Sequence, residues 1–304
     1  MDIIIAFDEF LQYHKKIANK SNSIDNYYFQ IKPFFKFVGP GFDTDDLSIE
    51  LILEYNDYLH NSPNKNGKIY SQGSISSYMR TVRIFCKWLA ERKGIDIYYK
   101  DIPVKKMIAR ESPIYTDEEL LKILETCKSS IKWIGVRNKL CIILMYDSGL
   151  RQIELTRIKI SDIDRVRKRI KVFGKGDKYR YAPLHTPTIE YIDLYISLCP
   201  HSISDTLLLS DDGSNLTGNA IRIMTNKIKH KLNFPFSSHI LRHNFATNYL
   251  LDKYEMTKQL DIEGLRVIMG HISPSTTRIY IHIVESLIAC RDAPSHFEKI
   301  LKRA

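Results

Sequence analysis

The sequence predicts a mainly helical protein of two domains, with one small β-hairpin or sheet in the second, an α+β arrangement. Three observations lead there. The chain has 304 residues, more than one ordinary hydrophobic core needs. Apolar residues recur at helical spacing along most of its length. A single pair of β-like runs, residues 169–173 and 179–184, flanks a glycine-rich turn.

The first domain is read as a four-helix or five-helix module over residues 1–100. Phe7, Phe10, Leu11 and Ile17 open the helical pattern, and Tyr28, Ile31, Phe34, Phe35 and Phe37 continue it. Polar breaks at Gly39-Pro40-Gly41 and at residues 61–67 separate the helices. In residues 74–92, Ile75, Tyr78, Met79, Val82, Phe85, Cys86 and Leu89 form one apolar stripe. Residues 101–115, with Pro103 and Pro113 near the ends and no sustained period, suit a linker.

The second domain begins at Thr116, where Thr116 and Glu119 make a capping box for a helix through Leu120, Leu121, Ile123 and Leu124. Residues 140–146 are apolar enough for a buried helix, and Gly149 is placed to close it in the left-handed conformation. The hairpin follows, then helices over residues 217–232 and 238–251. A last helix starts at Ser273-Pro274, with Ser as cap and Pro at the first helical position.

Composition narrows the function classes. No run approaches a membrane span of roughly 18 apolar residues, and the N-terminus does not read as a signal peptide. A cytoplasmic location is expected. Cys86, Cys127, Cys141, Cys199 and Cys290 are scattered, without zinc-ligand spacing, so reduced and mostly buried thiols are expected. The net charge of +10 is uneven. Residues 1–60 carry five Lys/Arg against ten Asp/Glu, residues 61–110 eleven against three, and residues 165–180 eight against one. Two concentrated basic stretches suit a surface that neutralises phosphates, although solvated helix faces would also account for them. Charge alone cannot choose among nucleic acid, an anionic membrane and a merely soluble surface.

Four segments of the second domain carry chemistry: Ser148-Gly149-Leu150-Arg151-Gln152-Ile153-Glu154-Leu155; Gly174-Lys175-Gly176; His239-Ile240-Leu241-Arg242-His243; and Met269-Gly270-His271, with Tyr280 nine residues on. Arginine forks suit bidentate contact with the non-bridging oxygens of a phosphodiester and stay charged throughout. On a helix from Ser238, His239 and Arg242 share a face near its positive end. A tyrosine serves as a nucleophile that holds a covalent phosphoryl intermediate. A lysine at the hairpin tip protonates a leaving oxygen; Lys175 and Lys178 both sit on that turn.

Together these segments resemble the tyrosine recombinase (phage integrase) family, whose catalytic groups run Arg, Lys, His-x-x-Arg, His or Trp, Tyr. The resemblance implies that Arg151 and Arg242 clamp the scissile phosphate, that His239 and His271 bond to it and assist proton transfer, and that Lys175 is the general acid for the 5′-oxygen. Tyr280 attacks to give a 3′-phosphotyrosyl link, and Glu154 supports Arg151 from behind. Neither a metal nor ATP nor any other cofactor is needed. The resemblance spans the chain: a helical core-binding (SAM-like) DNA-binding domain over residues 1–100, a linker over 101–115, and a catalytic domain over 116–304. It implies a two-domain, C-shaped clamp on duplex DNA carrying a specific recombination site, with Lys65, Lys68, Arg80, Arg83 and Lys87 in the first domain and Lys178 and Arg180 on the hairpin as candidate DNA contacts. A C-terminal helix around Phe297, Ile300 and Leu301 would link four protomers on two sites, without a membrane. The layout fits a Xer-like site-specific recombinase for integration, excision or dimer resolution. A DNA-binding protein without strand exchange and a type IB topoisomerase-like enzyme are the competing readings. The 29 residues from Arg242 to His271 exceed the usual family interval, so a longer loop is expected there, and Met269 replaces the usual leucine.

Overall fold

The computed structural model describes residues 1–17, 21–64, 67–105, 112–174, 179–203, 205–271 and 273–293. It divides into two compact units, Met1–Arg110 and Glu111–Ala304.

The first unit holds helices α1 (Ile3–Lys16), α2 (Ser21–Val38), α3 (Ile49–Asn61) and α4 (Gln72–Lys93). Short polar residues start three of them. The Asp2 carboxylate accepts the Ile4 N–H at 2.8 Å, Ser48 Oγ that of Leu51 at 3.1 Å, and Ser71 Oγ that of Ser74 at 3.2 Å. Gly94 closes α4 in the left-handed region, at φ +71°. The core is aromatic: Phe7 meets Phe85 edge-on at 5.2 Å, and Phe34 meets Tyr55 at 5.0 Å. On α4 the stripe of Ile75, Met79, Val82, Phe85, Cys86 and Leu89 is buried. Ser76, one residue after Ile75, is also buried and donates to the Lys105 carbonyl at 2.8 Å. Ile102 is buried in the same core. The first residues of the expected linker are therefore part of this unit, and Tyr115 at its other end is core in the second.

The second unit holds α5 (Asp117–Thr126), α6 (Lys132–Asp147), α7 (Gln152–Leu155), β1 (Ile163–Asp164), β2 (Arg169–Phe173), β3 (Tyr179–Pro183), α8 (Thr186–Leu198), α9 (Gly218–Lys231), α10 (Ser238–Thr257), α11 (Ile262–Met269) and α12 (Pro274–Arg291). Thr116 and Glu119 form the capping box at the start of α5. The strands make an antiparallel sheet in the order β1-β2-β3, with Ile170 opposite Ala182 and Val172 opposite Arg180. Alternation puts Ile170, Val172 and Ala182 on the inner face, against Leu140 and Leu144 of α6 and Ile192 of α8 in one core. A smaller cluster of Phe245, Leu250, Leu265, Met269, Tyr280 and Val284 binds α10, α11 and α12 to each other.

The interval between Arg242 and His271 differs from expectation. No longer loop forms. Residues 252–257 continue α10, and Lys258, at φ +58°, occupies the left-handed position that ends it. The extra residues lengthen a helix because they contain neither Gly nor Pro to stop it. No helix among the described residues is long and apolar enough to cross a membrane. All five cysteines are free, and Cys86, Cys127 and Cys141 are buried.

Candidate active site

The site is assembled from the turn after α6, the sheet, and the ends of α10, α11 and α12. Gly149 makes the first turn possible. Its φ is +63°, and a Cβ there would collide with the Phe245 ring. Two residues later Arg151 precedes α7, with its backbone N–H donating to Glu154 Oε2 at 2.7 Å and its Nη1 to Oε1 at 2.9 Å. The Glu154 side chain is only 3% exposed. Burial opposes its charge, yet the guanidinia of Arg180 and Arg151 outweigh burial and hold its carboxyl below the usual value.

Arg180, expected to contact DNA, points inward instead. Its side chain is 8% exposed; Nη1 and Nη2 donate to the two Glu154 oxygens at 2.8 Å each, and Nε to the Ile268 carbonyl at 2.5 Å. The reason is strand alternation, since Arg180 shares the inner face of β3 with Ala182 while Tyr179 and Tyr181 face out. Gly270 fits beside it, because a Cβ there would lie 2.9 Å from Arg180 Cδ.

Arg242 on α10 is 4% exposed. It donates to the Gly149 carbonyl and, at 2.5 Å, to the Met269 carbonyl, so it joins the turn before Arg151 to the turn before His271. Among the described residues it has no carboxylate within ion-pair distance. Burial and Arg151 push its pKa down to about 9, still well above neutrality. His271 follows, with its ring 3.5 Å from Arg242 Nη2 and its Nδ1 2.9 Å from the hydroxyl of buried Thr277. Burial, then Arg242 and Arg151, lower the pKa of His271 to about 4, and the same causes lower that of His239. Both rings are neutral at physiological pH. Tyr280, 4% exposed, lies nearly parallel to His271 with ring centroids 6.4 Å apart. Burial raises its pKa, while Arg242 and Arg151 draw it back down.

Arg151, His239 and Arg242 line one cleft of about 450 Å³ together with Gln152, Ile153, Gly218 and Ser238. Gln152 is held there by the Ser238 hydroxyl, which donates to its Oε1 at 3.2 Å, and by its own donation to the Gly218 carbonyl at 2.7 Å. The structure thus brings together five of the six expected catalytic residues. The sixth, Lys175, lies outside the described residues, as do Lys65, Lys178, Phe297, Ile300 and Leu301. In the first unit Lys68, Arg80 and Lys87 are exposed and Arg83 is half-buried. Arg80, Arg83 and Lys87 fall at helical spacing along α4, and Lys87 has Glu91 at 3.8 Å. Sequence reasoning missed Thr277, whose contact with His271 crosses six residues, and the inward role of Arg180. Among the described residues no three His, Cys, Asp or Glu side chains are gathered to hold a metal.

This geometry has relatives. Residues 114–286 match the model of the phage integrase family, and residues 3–98 that of its SAM-like domain. The chain belongs to the phage integrase family. Within it, the tyrosine recombinase XerD of Staphylococcus saprophyticus is 31% identical over 302 residues, covering 95% of this chain and 96% of that protein. The fold is shared with a XerH site-specific recombinase bound to palindromic difH substrate (TM-score 0.69, 22% identity, 88% of this chain and 78% of that one). It is also shared with a lambda integrase fragment bound as a dimer to a COC′ core site (TM-score 0.70, 21% identity, 92% and 95%).

Proposed function

We propose that this family member is a site-specific tyrosine recombinase that cuts and rejoins duplex DNA through a 3′-phosphotyrosyl link on Tyr280. One observation supports this most. Arg242 is a buried cation held in place by two backbone carbonyls and left without a carboxylate among the described residues, next to Arg151 and Tyr280. A buried unpaired charge is costly unless an anion arrives to meet it, and a phosphodiester fits the forks of two guanidinia.

In the reaction Arg151 and Arg242 bind the non-bridging oxygens and stabilise the charge that grows on them. Tyr280 Oη forms the bond to phosphorus, and its proton passes to a neutral histidine of the site, His239 or His271. The bond to the 5′-oxygen breaks, and Lys175 supplies the proton to that oxygen. Neutral His239 and His271 donate hydrogen bonds to the phosphate without adding charge. A 5′-hydroxyl from a second strand reverses the step, so the phosphodiester energy is retained and no cofactor takes part. Glu154, fixed by Arg180, orients Arg151.

Lys68, Arg80, Arg83 and Lys87 contact phosphates of the duplex, and protomers pair on their sites through the C-terminal segment. The protein works in the cytoplasm. Incubation with a nicked duplex bearing the recombination site is the test. The parent gives a protein–DNA adduct resistant to denaturation, and Tyr280→Phe binds the duplex but gives none. Adduct formation by that variant refutes the assignment; binding without any adduct in the parent marks a DNA-binding protein without strand exchange.

A further inference from the structure

α10 carries a second histidine that the reaction above does not use. His243 stands one turn beyond His239 and directly follows Arg242. Its ring meets that of His239 edge-on, 4.7 Å between centroids, and that of Tyr280 at 5.1 Å with a tilt of 51°. It therefore touches both a phosphate-binding histidine and the nucleophile. Its Nδ1 is buried and has no hydrogen-bond partner among the described residues. A histidine in a helix has a ready partner for that atom in the carbonyl four residues back. His60 on α3 uses it, 2.8 Å from the Asn56 carbonyl oxygen; His243 does not. An orphaned buried nitrogen costs stability, and such atoms cluster where they have a task. Burial, with His239 and Arg242 nearby, lowers the pKa of His243 to about 4, so the ring is neutral and offers one donor and one acceptor.

We infer that His243 is a positioning residue for Tyr280: its Nδ1, which meets no partner among the described residues, is kept open beside the phenol to take the Tyr280 hydroxyl and order it for attack once DNA is engaged. This rests on Tyr280 being the nucleophile. It goes beyond the Arg, Lys, His, Arg, His, Tyr set by giving a task to a residue outside it. The competing role is packing between α10 and α12, for which ring shape alone matters. The two roles make opposite demands on substitutions.

His243→Phe keeps the ring and removes the nitrogen, whereas His243→Asn keeps a hydrogen-bonding atom where Nδ1 stood and loses the ring. The probe is a nicked duplex at which the parent forms its covalent adduct, followed under single turnover. His243→Phe is expected to form the adduct at least ~50-fold more slowly, and His243→Asn to stay within ~5-fold of the parent, a loss of the size typical of removing one transition-state interaction. Both variants should bind intact duplex as tightly as the parent, and His243→Phe, which sheds the orphaned nitrogen, should melt no lower than the parent. A Phe variant as fast as the parent overturns the inference, as does an Asn variant as slow as Phe. Loss of duplex binding or early melting in step with slow cleavage also overturns it, since packing then explains the defect. Tyr280→Phe is run alongside: an adduct persisting there refutes the nucleophile itself, which separates that failure from a failure of His243.

Discussion

Glu154 is one carboxylate shared by two guanidinia, and removing its charge leaves both without a counterion. Glu154→Gln is expected to lower the unfolding free energy by about 3 kcal/mol, as breaking a buried ion pair does, and to slow adduct formation while duplex affinity holds. Denaturant unfolding and single-turnover cleavage check the two parts. Arg180→Ala should behave the same way; a loss of duplex affinity with unchanged stability would instead put Arg180 on the DNA. The histidines set a pH dependence whose sign follows from their direction. His271 and His243 have folded pKa values of about 4, below the ordinary 6.5, so the unfolded chain binds more protons between those values. Stability is therefore full above pH 6.5 and falls as pH drops toward 4. Melting temperatures across that window should fall less in His271→Gln than in the parent. The residues proposed to act on the phosphate stand out in the sequence as an ordered set of residue types. Thr277 does not, because a hydroxyl six residues from its histidine carries no pattern. Arg180 was misread although β3 held the clue: Tyr179 and Tyr181 mark the outer face, which leaves Arg180 with Ala182 on the inner one.

The turn at Gly149 shows how one backbone position governs an element. Gly149→Ala needs a left-handed φ for a residue with a side chain and drives its Cβ into Phe245. A destabilisation of about 2 kcal/mol or more is expected from strain of that kind, with loss of cleavage because the turn places Arg151. Lys258 is the reverse case. It holds the left-handed end of α10 with a Cβ that Gly lacks, so Lys258→Gly should raise stability by about 0.5–1 kcal/mol. A drop in stability would mean the lysine side chain contributes more than its backbone costs. The long patterned elements were legible: the α4 stripe, the capping box of α5, the hairpin, and the Ser-Pro start of α12. β1 was not, since two residues cannot show alternation. The length of α10 was also misjudged, because the family resemblance argued for a loop while the residues themselves, without Gly or Pro, continued the helix.

At the scale of the molecule, the net charge of +10 is gathered in residues 61–110 and 165–180. Duplex affinity should fall steeply with salt, with a log–log slope near −0.9 for each phosphate neutralised. Arg80→Ala, Lys87→Ala and Lys68→Ala should each flatten it by about 1 if the side chain meets a phosphate. Titrations at several salt concentrations give the slopes, and an unchanged slope removes that residue from the interface. The burial of Tyr280 acts on the same scale. At 4% exposure its phenol is shielded from solvent and from passing DNA alike. With Tyr280 as the proposed nucleophile, uncovering it would draw on the energy of engaging a duplex, so a sequence that is gripped weakly would leave the blade sheathed. Selectivity for a site would then be exerted twice, once in holding the DNA and again in releasing the phenol.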